Sequence, residues 1–355
     1  MERIPDRRTV GSARPRWAAT ALLLGLWLGA ACVGSPAGAA APVPTLDGGP
    51  HAGPLAVTHG GVGSSPEVAD GPEAAADSAL AVLRAGGSAL AAALAGTVKL
   101  ENDPRFNAGT GANIRLDGKT IQMDAAIMTG EGRFAAVAAI ERVRNPVLVV
   151  RAVMDSTPHL LLVGEGATRF AHRVGFADVV PTCPEAEARY RARMRRQAEL
   201  FARGDTTVYD WRRYWNFPGE MPADALEWRK HGDTVGTVAR DRDGRFAATL
   251  STGGTSVTLY GRVGDVPVFG AGLYAGPAGA VACTGEGEEI IRRAVARAVY
   301  ERMAGGAAAR TAVEEAVAAF PPRFDVGIIA VDRDGWGVAA NRRMAFGAAG
   351  ETGEE

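Results

Sequence analysis

The stretch RKHGDTVGTVARDRDGRFAATLSTGG, residues 229–254, combines a predicted strand pair with a hydroxyl residue at its entrance. TVGTVARD alternates and is rich in β-branched residues, Arg-Asp-Gly is a turn signal, and RFAATLST supplies the returning strand, so the stretch predicts a β-hairpin. Thr234 stands directly after Gly-Asp at the first position of this hairpin. The same tripeptide recurs at residues 204–206, inside a charged, break-rich region that predicts an ordinary loop residue at Thr206. The hairpin therefore makes Thr234 the candidate for chemistry.

A threonine hydroxyl is a poor nucleophile unless a base accepts its proton. The five histidines suggest no Ser-His-Asp arrangement, and no His/Cys/Glu set has zinc-ligand spacing. A threonine that begins a chain carries its own base, because a free α-amino group has a pKa of about 7.7–8.0. That chemistry requires cleavage between Asp233 and Thr234, which Thr234 could perform by attacking the Asp233 carbonyl, and Gly232 permits the unusual backbone angles of a strained junction. From these residues alone, a threonine after Gly-Asp is more often an ordinary strand residue.

The first forty residues predict an export signal rather than folded structure. A basic start is followed by an apolar run from Trp17 to Val33 and then by a small-residue stretch, and we expect removal of residues 1–40. A membrane anchor is the alternative, although the apolar run is shorter than the roughly 20 residues that a spanning helix needs. A lipoprotein-type site at Cys32 and a twin-arginine signal match only part of their patterns. We therefore expect a periplasmic or extracellular protein.

Composition bounds the remaining possibilities. The chain has 355 residues, of which 47% are hydrophobic, so it can bury a large core. Its formal net charge of -1 predicts no basic face for nucleic acid. Without the leader, Cys183 and Cys283 remain, which is too few for a disulfide framework and favours buried thiols.

Strand and helix patterns lie on both sides of the hairpin and predict sheets packed on each other, covered by helices on both sides. Residues 54–65 predict a strand, residues 72–102 two helices separated by Gly86-Gly87, and residues 111–143 several strands. After the hairpin, VPVFGAGLYA and AVACTG predict strands, GEEIIRRAVARAVYERMAGG one amphipathic helix, and FDVGIIAVDRDGWGVAANR a closing hairpin. The charged segment 185–230 predicts a helix within a linker or surface excursion.

Eight motifs, in order, resemble the isoaspartyl peptidase/plant-type L-asparaginase family of N-terminal-nucleophile hydrolases. The resemblance extends from His59 to about Gly305. The motifs are HGGVG (59–63), FNAGTGA (106–112), MDAAIM (123–128), RNPVLVVRAVM (144–154), GDTVGTVARD (232–241), STGG (251–254), GRVGD (261–265) and CTGEGE (283–288).

The resemblance implies an α+β fold, a four-layer αββα sandwich that cleaves itself between Asp233 and Thr234. An α chain of residues 41–233 and a β chain of residues 234–355 would together form one catalytic domain, and two αβ units would associate as (αβ)2. It implies hydrolysis of small β-aspartyl peptides or L-asparagine, without a catalytic cofactor.

Residue by residue, the resemblance implies that Thr234 is the nucleophile and that Thr252 hydrogen-bonds and tunes it. Thr284 and Gly285 would stabilise the developing oxyanion, and Asn107 would lie close by. Arg262 would bind the α-carboxylate of the substrate through its planar fork, and Asp265 would receive the α-ammonium group. The same two motifs place further substrate-binding residues at Val263, Gly264, Glu286 and Gly287. A structural sodium ion would be held by the backbone carbonyls of Leu100, Glu101, Asp103, Phe106, Ala108 and Thr110.

Two alternatives remain open. A glycosylasparaginase shares the fold and the nucleophile, but its members tend to have Asn at the position of Gly253 and to lack a glycine at the position of Gly232. A catalytically silent, secreted binding protein on the same scaffold would not need the complete set of site residues. The segment TSVTLY after STGG departs from the Met-Thr-Asn and lysine that relatives more often carry, which leaves the leaving-group preference open.

Overall fold

Two β-sheets organise the protein, which a computed structural model describes for residues 44–203, 214–220, 234–255 and 257–351. The strands are β1 (Thr45–Pro50), β2 (Leu55–Val62), β3 (Met123–Thr129), β4 (Phe134–Ile140), β5 (Leu161–Val163), β6 (Val235–Arg240), β7 (Phe246–Thr252), β8 (Leu273–Gly276), β9 (Gly279–Gly285), β10 (Val326–Asp332), β11 (Gly335–Ala340) and β12 (Met344–Gly350). The helices are α1 (Asp70–Arg84), α2 (Ala89–Glu101), α3 (Pro146–Ser156), α4 (Gly164–Arg173), α5 (Pro184–Ala202), α6 (Gly287–Arg293), α7 (Val295–Ala304) and α8 (Ala309–Ala318).

The predicted hairpin of β6 and β7 is confirmed, and it forms the centre of the larger sheet. That sheet has the order β12-β2-β6-β7-β3-β4-β5, in which only β4 and β5 pair in parallel. Every residue of β6 and β7 is buried, which explains why their sequences, apart from Arg240, are apolar or small on both faces. The second sheet has the order β1-β11-β10-β9-β8 and is antiparallel throughout.

Three apolar clusters hold these elements together. The first contains residues of α1, α2 and α3 together with one face of the larger sheet, such as Leu94 and Ile127. The second draws residues from both sheets, such as Leu250 and Ile329. The third joins the smaller sheet to α7 and α8, for example through Val313. Burial of these side chains is the main favourable contribution to folding.

Several element predictions need correction. The predicted single helix from Gly287 onward is two helices, since Ala294 adopts a left-handed backbone with φ 45°. The N–H groups of the first turn of α7 donate instead to the carbonyls of Gly270 and Ala271, so a tertiary contact stabilises this break. Of VPVFGAGLYA, only the end forms a strand, β8, and the part of 111–143 that precedes β3 is not a strand. Strands β1 and β12 were not predicted.

The charged segment 185–230 is more than a linker where the structure describes it. Its helix, α5, is confirmed, and residues 214–220 pack back onto the protein. Phe217 is buried against Leu116 and Val257, and the side chain of Asn216 exchanges two hydrogen bonds, of 2.9 and 3.1 Å, with the backbone of Tyr260. Thr206 lies outside the described residues.

Cys183 and Cys283 are buried free thiols, as predicted. In the part of the chain that the structure describes, no helix combines the length and the apolar character that a membrane span requires. The predicted leader, residues 1–40, lies outside that part.

Candidate active site

Thr234 lies immediately before β6 and is 6% exposed. In the β6–β7 pairing Val235 faces Ser251, and continuing this register by one residue puts Thr234 opposite Thr252 at the end of β7. The two threonines that the sequence analysis connected are therefore cross-strand neighbours. Asp233, on the other side of the predicted cleavage site, lies outside the described residues.

The turn after Thr252 is held by the loop that contains Asn107. The Thr252 hydroxyl accepts a hydrogen bond from the Gly254 N–H at 2.9 Å. The Asn107 side-chain amide donates to the Gly254 carbonyl at 2.7 Å, and the Asn107 carbonyl accepts from Gly253 N–H at 2.9 Å. A Cβ atom at Gly253 would lie 2.4 Å from the backbone nitrogen of Asn113 and 2.5 Å from Asn107 Oδ1. Only glycine fits at this position, and Asn107 is fixed beside the end of β7.

Thr284 and Gly285 end strand β9. Thr284 is fully buried, and its hydroxyl accepts a hydrogen bond from the Val62 N–H at 3.3 Å, so the HGGVG motif borders this group. Gly285 has φ 134°, and a Cβ atom there would lie 2.2 Å from the Asp325 carbonyl oxygen. Both the positive φ and the close approach of the Asp325 carbonyl therefore require glycine here. The backbone at Gly285 can therefore turn sharply from the strand toward α6.

His59 in the same motif is fully buried against the start of β6. Burial lowers its pKa to about 3, against an opposing effect of the Thr234 backbone, so the imidazole is neutral near pH 7. A Cβ atom at Gly236 would lie 2.7 Å from His59 Nε2. The neutral ring therefore packs directly against the backbone at the start of β6.

Arg262 and Asp265 bring opposite charges to one place. The Arg262 side chain is 16% exposed, and its Nη2 donates to both carboxylate oxygens of Glu288 at 3.0 Å. Asp265 is buried, and burial raises its pKa to about 7. Its Oδ2 atom has no hydrogen-bond partner among the described residues. A Cβ atom at Gly287 would lie 2.8 Å from Asp265 Oδ1 and 3.1 Å from Arg262 Nη2, so this glycine leaves room beside both groups.

Asp124 joins this charged pair to the core of the larger sheet. Its Oδ1 accepts from the Ala139 N–H at 2.8 Å and its Oδ2 from the Gly264 N–H at 3.3 Å. It also faces Thr252 across the β3–β7 pairing. Burial raises the pKa of Asp124, while Arg115 and these hydrogen bonds favour its charged form. Asp124 thus lies opposite Thr252 through its place in the sheet, while its carboxylate holds the loop that carries Arg262.

Two further predicted binding residues, Val263 and Glu286, lie nearby. Val263 is half-buried in the Arg262 loop, and the Glu286 N–H donates to the Asp325 carbonyl at the start of α6. Sequence reasoning missed Glu288 and Asp124, although each lies inside a motif that drew attention to its neighbours. Burial and pairing, which a motif does not encode, give these two carboxylates their contacts.

The last residues of α2 and the loop that follows contain the six backbone carbonyls predicted to hold sodium. A Cβ atom at Gly109 would lie 2.4 Å from the Glu101 carbonyl oxygen, and one at Gly111 would lie 2.0 Å from that of Phe106. Carbonyl oxygens are ligands that hard cations prefer, so this set of donors fits such an ion. Within the described ranges, no group of three or more His, Cys, Asp and Glu side chains could bind a metal.

Known proteins of one family resemble this chain over most of its length. A family model described as asparaginase matches residues 52–354. The plant-type L-asparaginase of Pyrococcus abyssi is 39% identical over 289 residues, which cover 79% of this chain and 90% of that protein. The isoaspartyl peptidase of Salmonella typhimurium is 41% identical over 263 residues, covering 72% of this chain and 78% of that protein. The human isoaspartyl peptidase/L-asparaginase is 34% identical over 318 residues, covering 83% and 96%.

Proposed function

Because the chain belongs to the asparaginase family, we propose that it hydrolyses the side-chain amide or isopeptide bond of a β-aspartyl unit and releases L-aspartate. The observation that carries this proposal is the juxtaposition of Arg262 with the buried carboxylate of Asp265, whose Oδ2 atom has no hydrogen-bond partner among the described residues. A site that selects free β-aspartyl units must bind an α-carboxylate and an α-ammonium group together. The Arg262 guanidinium, whose Nε and Nη2 donate to Glu288 in the free protein, would give donors to the first, and the Asp265 carboxylate would accept from the second.

The proposed nucleophile is Thr234, made the first residue of a β chain by cleavage after Asp233. Its α-amino group takes the hydroxyl proton while Oγ1 attacks the side-chain carbonyl carbon of the substrate. The proton then passes to the departing amine, and water hydrolyses the resulting ester. Thr252, opposite Thr234 in the hairpin register, is suited to donate a hydrogen bond to the nucleophile.

The developing negative charge on the substrate oxygen requires donors that are already in place. We assign this role to the Thr284 hydroxyl and the Gly285 N–H, at the end of β9. The buried environment of Thr284 supports the assignment, since hydrogen bonds to a developing charge are worth more where water is excluded. Asn107 contributes by holding the Gly253–Gly254 turn beside Thr252.

The three apolar clusters support a four-layer αββα arrangement for this proposal, with one cluster between the sheets and one under each set of helices. A structural sodium ion would be held by the carbonyls of the loop from Leu100 to Thr110, where it would order the segment before Asn107. It would supply no catalytic chemistry.

A glycosylasparaginase is the competing function, and Gly253 argues against it. An asparagine at that position, as such enzymes tend to carry, would collide with the Asn107 side chain and the backbone at Asn113. A catalytically silent binding protein is the second alternative. It would have no need of the buried Asp265 carboxylate, whose charged form is costly to bury.

Export is also part of the proposal, and it rests on the leader pattern of residues 1–40. Expression of the full chain in a bacterial host should yield mature protein that begins near residue 41 in the periplasm or medium. A cytosolic protein that retains Met1 would contradict export, and a lipid adduct at Cys32 would replace it with membrane anchoring.

The decisive experiment is intact-mass analysis of purified protein followed by an amide-hydrolysis panel. We expect a fragment that begins Thr-Val-Gly-Thr-Val and hydrolysis of β-Asp-Leu and L-asparagine. An active enzyme that remains a single chain would overturn the N-terminal-threonine mechanism. Preference for glycosyl-asparagine over β-Asp-Leu would establish the glycosylasparaginase alternative instead.

A further inference from the structure

Arg115 is a charged side chain that the proposed mechanism does not use. Among the described residues it is the largest side chain that is fully buried, with 0% exposure. In the sequence it lies between the Asn107 loop and β3. Burying a guanidinium is costly unless its donors are satisfied. Burial lowers its pKa to about 10, partly offset by the charge of Asp124, so it remains charged near neutral pH.

The contacts of Arg115 are with backbone and hydroxyl oxygens. Nη1 donates to Thr258 Oγ1 at 2.8 Å, and Nη2 donates to the carbonyls of Gln122 and Arg262, both at 3.1 Å. In the described part of the chain, Arg115 forms no direct ion pair with a carboxylate. Its charge is therefore used to bind main chain rather than to neutralise an acid.

These contacts connect the two halves of the candidate site. A Cβ atom at Gly254 would lie 2.9 Å from Arg115 Nη1, so the guanidinium lies against the turn that follows Thr252. The same guanidinium binds the carbonyl of Arg262, whose side chain is the proposed carboxylate-binding group.

Asp124 holds the same loop from the other end, by accepting from the Gly264 N–H. The backbone from Arg262 to Gly264 is thus held by a buried guanidinium at a carbonyl and by a buried carboxyl group at an N–H. In each contact, opposite partial charges meet: the guanidinium donates to a carbonyl oxygen, and the carboxyl oxygen accepts from an N–H.

We propose that Arg115 is a positioning residue: its buried guanidinium fixes the Arg262 backbone relative to the Gly253–Gly254 turn. It thereby sets the distance between the proposed nucleophile, Thr234, and Arg262, which would bind the substrate's α-carboxylate. This inference rests on the proposed function. It concerns the binding of substrates that carry a free α-carboxylate, and it does not concern the cleavage that exposes Thr234.

Arg240 provides a matched control. It is also a buried arginine, 3% exposed, whose guanidinium donates to the carbonyls of Gly53, His51 and Asp332. It lies at the opposite end of β6 from Thr234. Arg240→Met and Arg115→Met therefore remove the same kind of buried donor, one away from the site and one within it.

The experiment measures self-cleavage, the melting temperature Tm, kcat and KM for β-Asp-Leu, and the inhibition constant of free L-aspartate. For Arg115→Met we expect complete cleavage and a rise of about tenfold or more in both KM and the inhibition constant, with a smaller change in kcat. For Arg240→Met we expect a lower Tm with both constants within about twofold of the wild type. Equal constants in Arg115→Met and the wild type would overturn the inference.

Milder variants keep the test valid if Arg115→Met does not fold. Thr258→Val removes one acceptor of the guanidinium and should raise KM by about threefold. The effects of Arg115→Lys and Arg262→Lys on KM should be less than additive, whereas Arg240→Lys and Arg262→Lys should add. Additivity in both pairs would contradict coupling through Arg115. Failure of the wild type to hydrolyse β-Asp-Leu would instead refute the proposed function.

Discussion

At the scale of single residues, the proposed role of Asp265 would link substrate binding to pH. Only the charged carboxylate can pair with an α-ammonium group, and burial raises the pKa of Asp265 from 3.8 to about 7 in the free protein. We expect kcat/KM for β-Asp-Leu to fall as the pH drops below about 7. Asp265→Asn and Arg262→Lys should each lower kcat/KM at least about tenfold, and Asp265→Asn should remove this part of the pH profile. A wild-type rate in both variants would locate the binding group elsewhere.

The same residue has an opposite effect on stability. A raised pKa in the folded state means that Asp265 favours folding while protonated, and that this contribution is lost as the pH rises from 3.8 through about 7. At pH 8 the folded protein therefore bears the cost of a buried charge. Asp265→Asn should accordingly have a Tm equal to or above that of the wild type at pH 8, measured by thermal unfolding. A large loss of Tm there would show that the carboxylate is structural.

Thr234 and Thr206 allow a residue-level test of the nucleophile, since both follow Gly-Asp. Thr234→Ala removes the hydroxyl that would attack Asp233, so the chain should stay whole and inactive. Thr206→Ala leaves that hydroxyl in place and should be cleaved normally. Denaturing gel electrophoresis distinguishes the two, and cleavage of Thr234→Ala at the same bond would exclude self-cleavage by this residue.

At the scale of elements, the segment 214–220 packs against the rest of the fold and is more than a surface linker. Phe217 is 6% exposed between Leu116 and Val257, whereas Tyr214 in the same segment is 63% exposed. Truncating a buried phenylalanine typically costs about 3–5 kcal/mol. Phe217→Ala should therefore lower Tm by several degrees and speed limited proteolysis near the segment, while Tyr214→Ala should change neither. Equal behaviour of the two variants would mean that the segment does not stabilise the fold.

Local pattern predicted the elements whose own residues decide them. The β6–β7 hairpin has alternation and a turn signal, and α1 and α2 have helical spacing with a glycine break. The break at Ala294 depends on the distant carbonyls of Gly270 and Ala271, which no local signal encodes. Strands β1 and β12 contain few β-branched residues and many small ones. Their extended conformation depends on pairing, of β1 with β11 and of β12 with β2.

The site residues divide in the same way, into those that a local motif predicts and those that depend on distant contacts. Thr234, Thr252, Arg262 and Asp265 were predicted from motifs, because each motif carries its residue type at a fixed spacing. Arg115 was not, since a single arginine among apolar residues gives no sign that it is buried or that it binds the Arg262 carbonyl. Contacts between segments far apart in sequence are what spacing alone does not reveal.

At the scale of the whole molecule, both sheets mix strands from the two predicted chains. In the larger sheet β2 lies between β12 and β6, and β3 lies beside β7, while in the smaller sheet β1 pairs with β11. Strands β1 to β5 precede the proposed cleavage site and β6 to β12 follow it. Cleavage between residues 233 and 234 would therefore leave these backbone hydrogen bonds and the cores around them intact.

We accordingly expect the cleaved protein to give two bands on a denaturing gel and a single peak in native gel filtration. The Thr234→Ala variant should elute at the same volume with one band on the gel, because we expect cleavage to leave the packing of the sheets intact. Unfolding in a strong denaturant should release the fragments, since the bonds that join them are non-covalent and both described cysteines are free. Separate elution of the fragments under native conditions would show that the interleaved strands do not hold the two chains together. The elution volume would also report whether two αβ units associate.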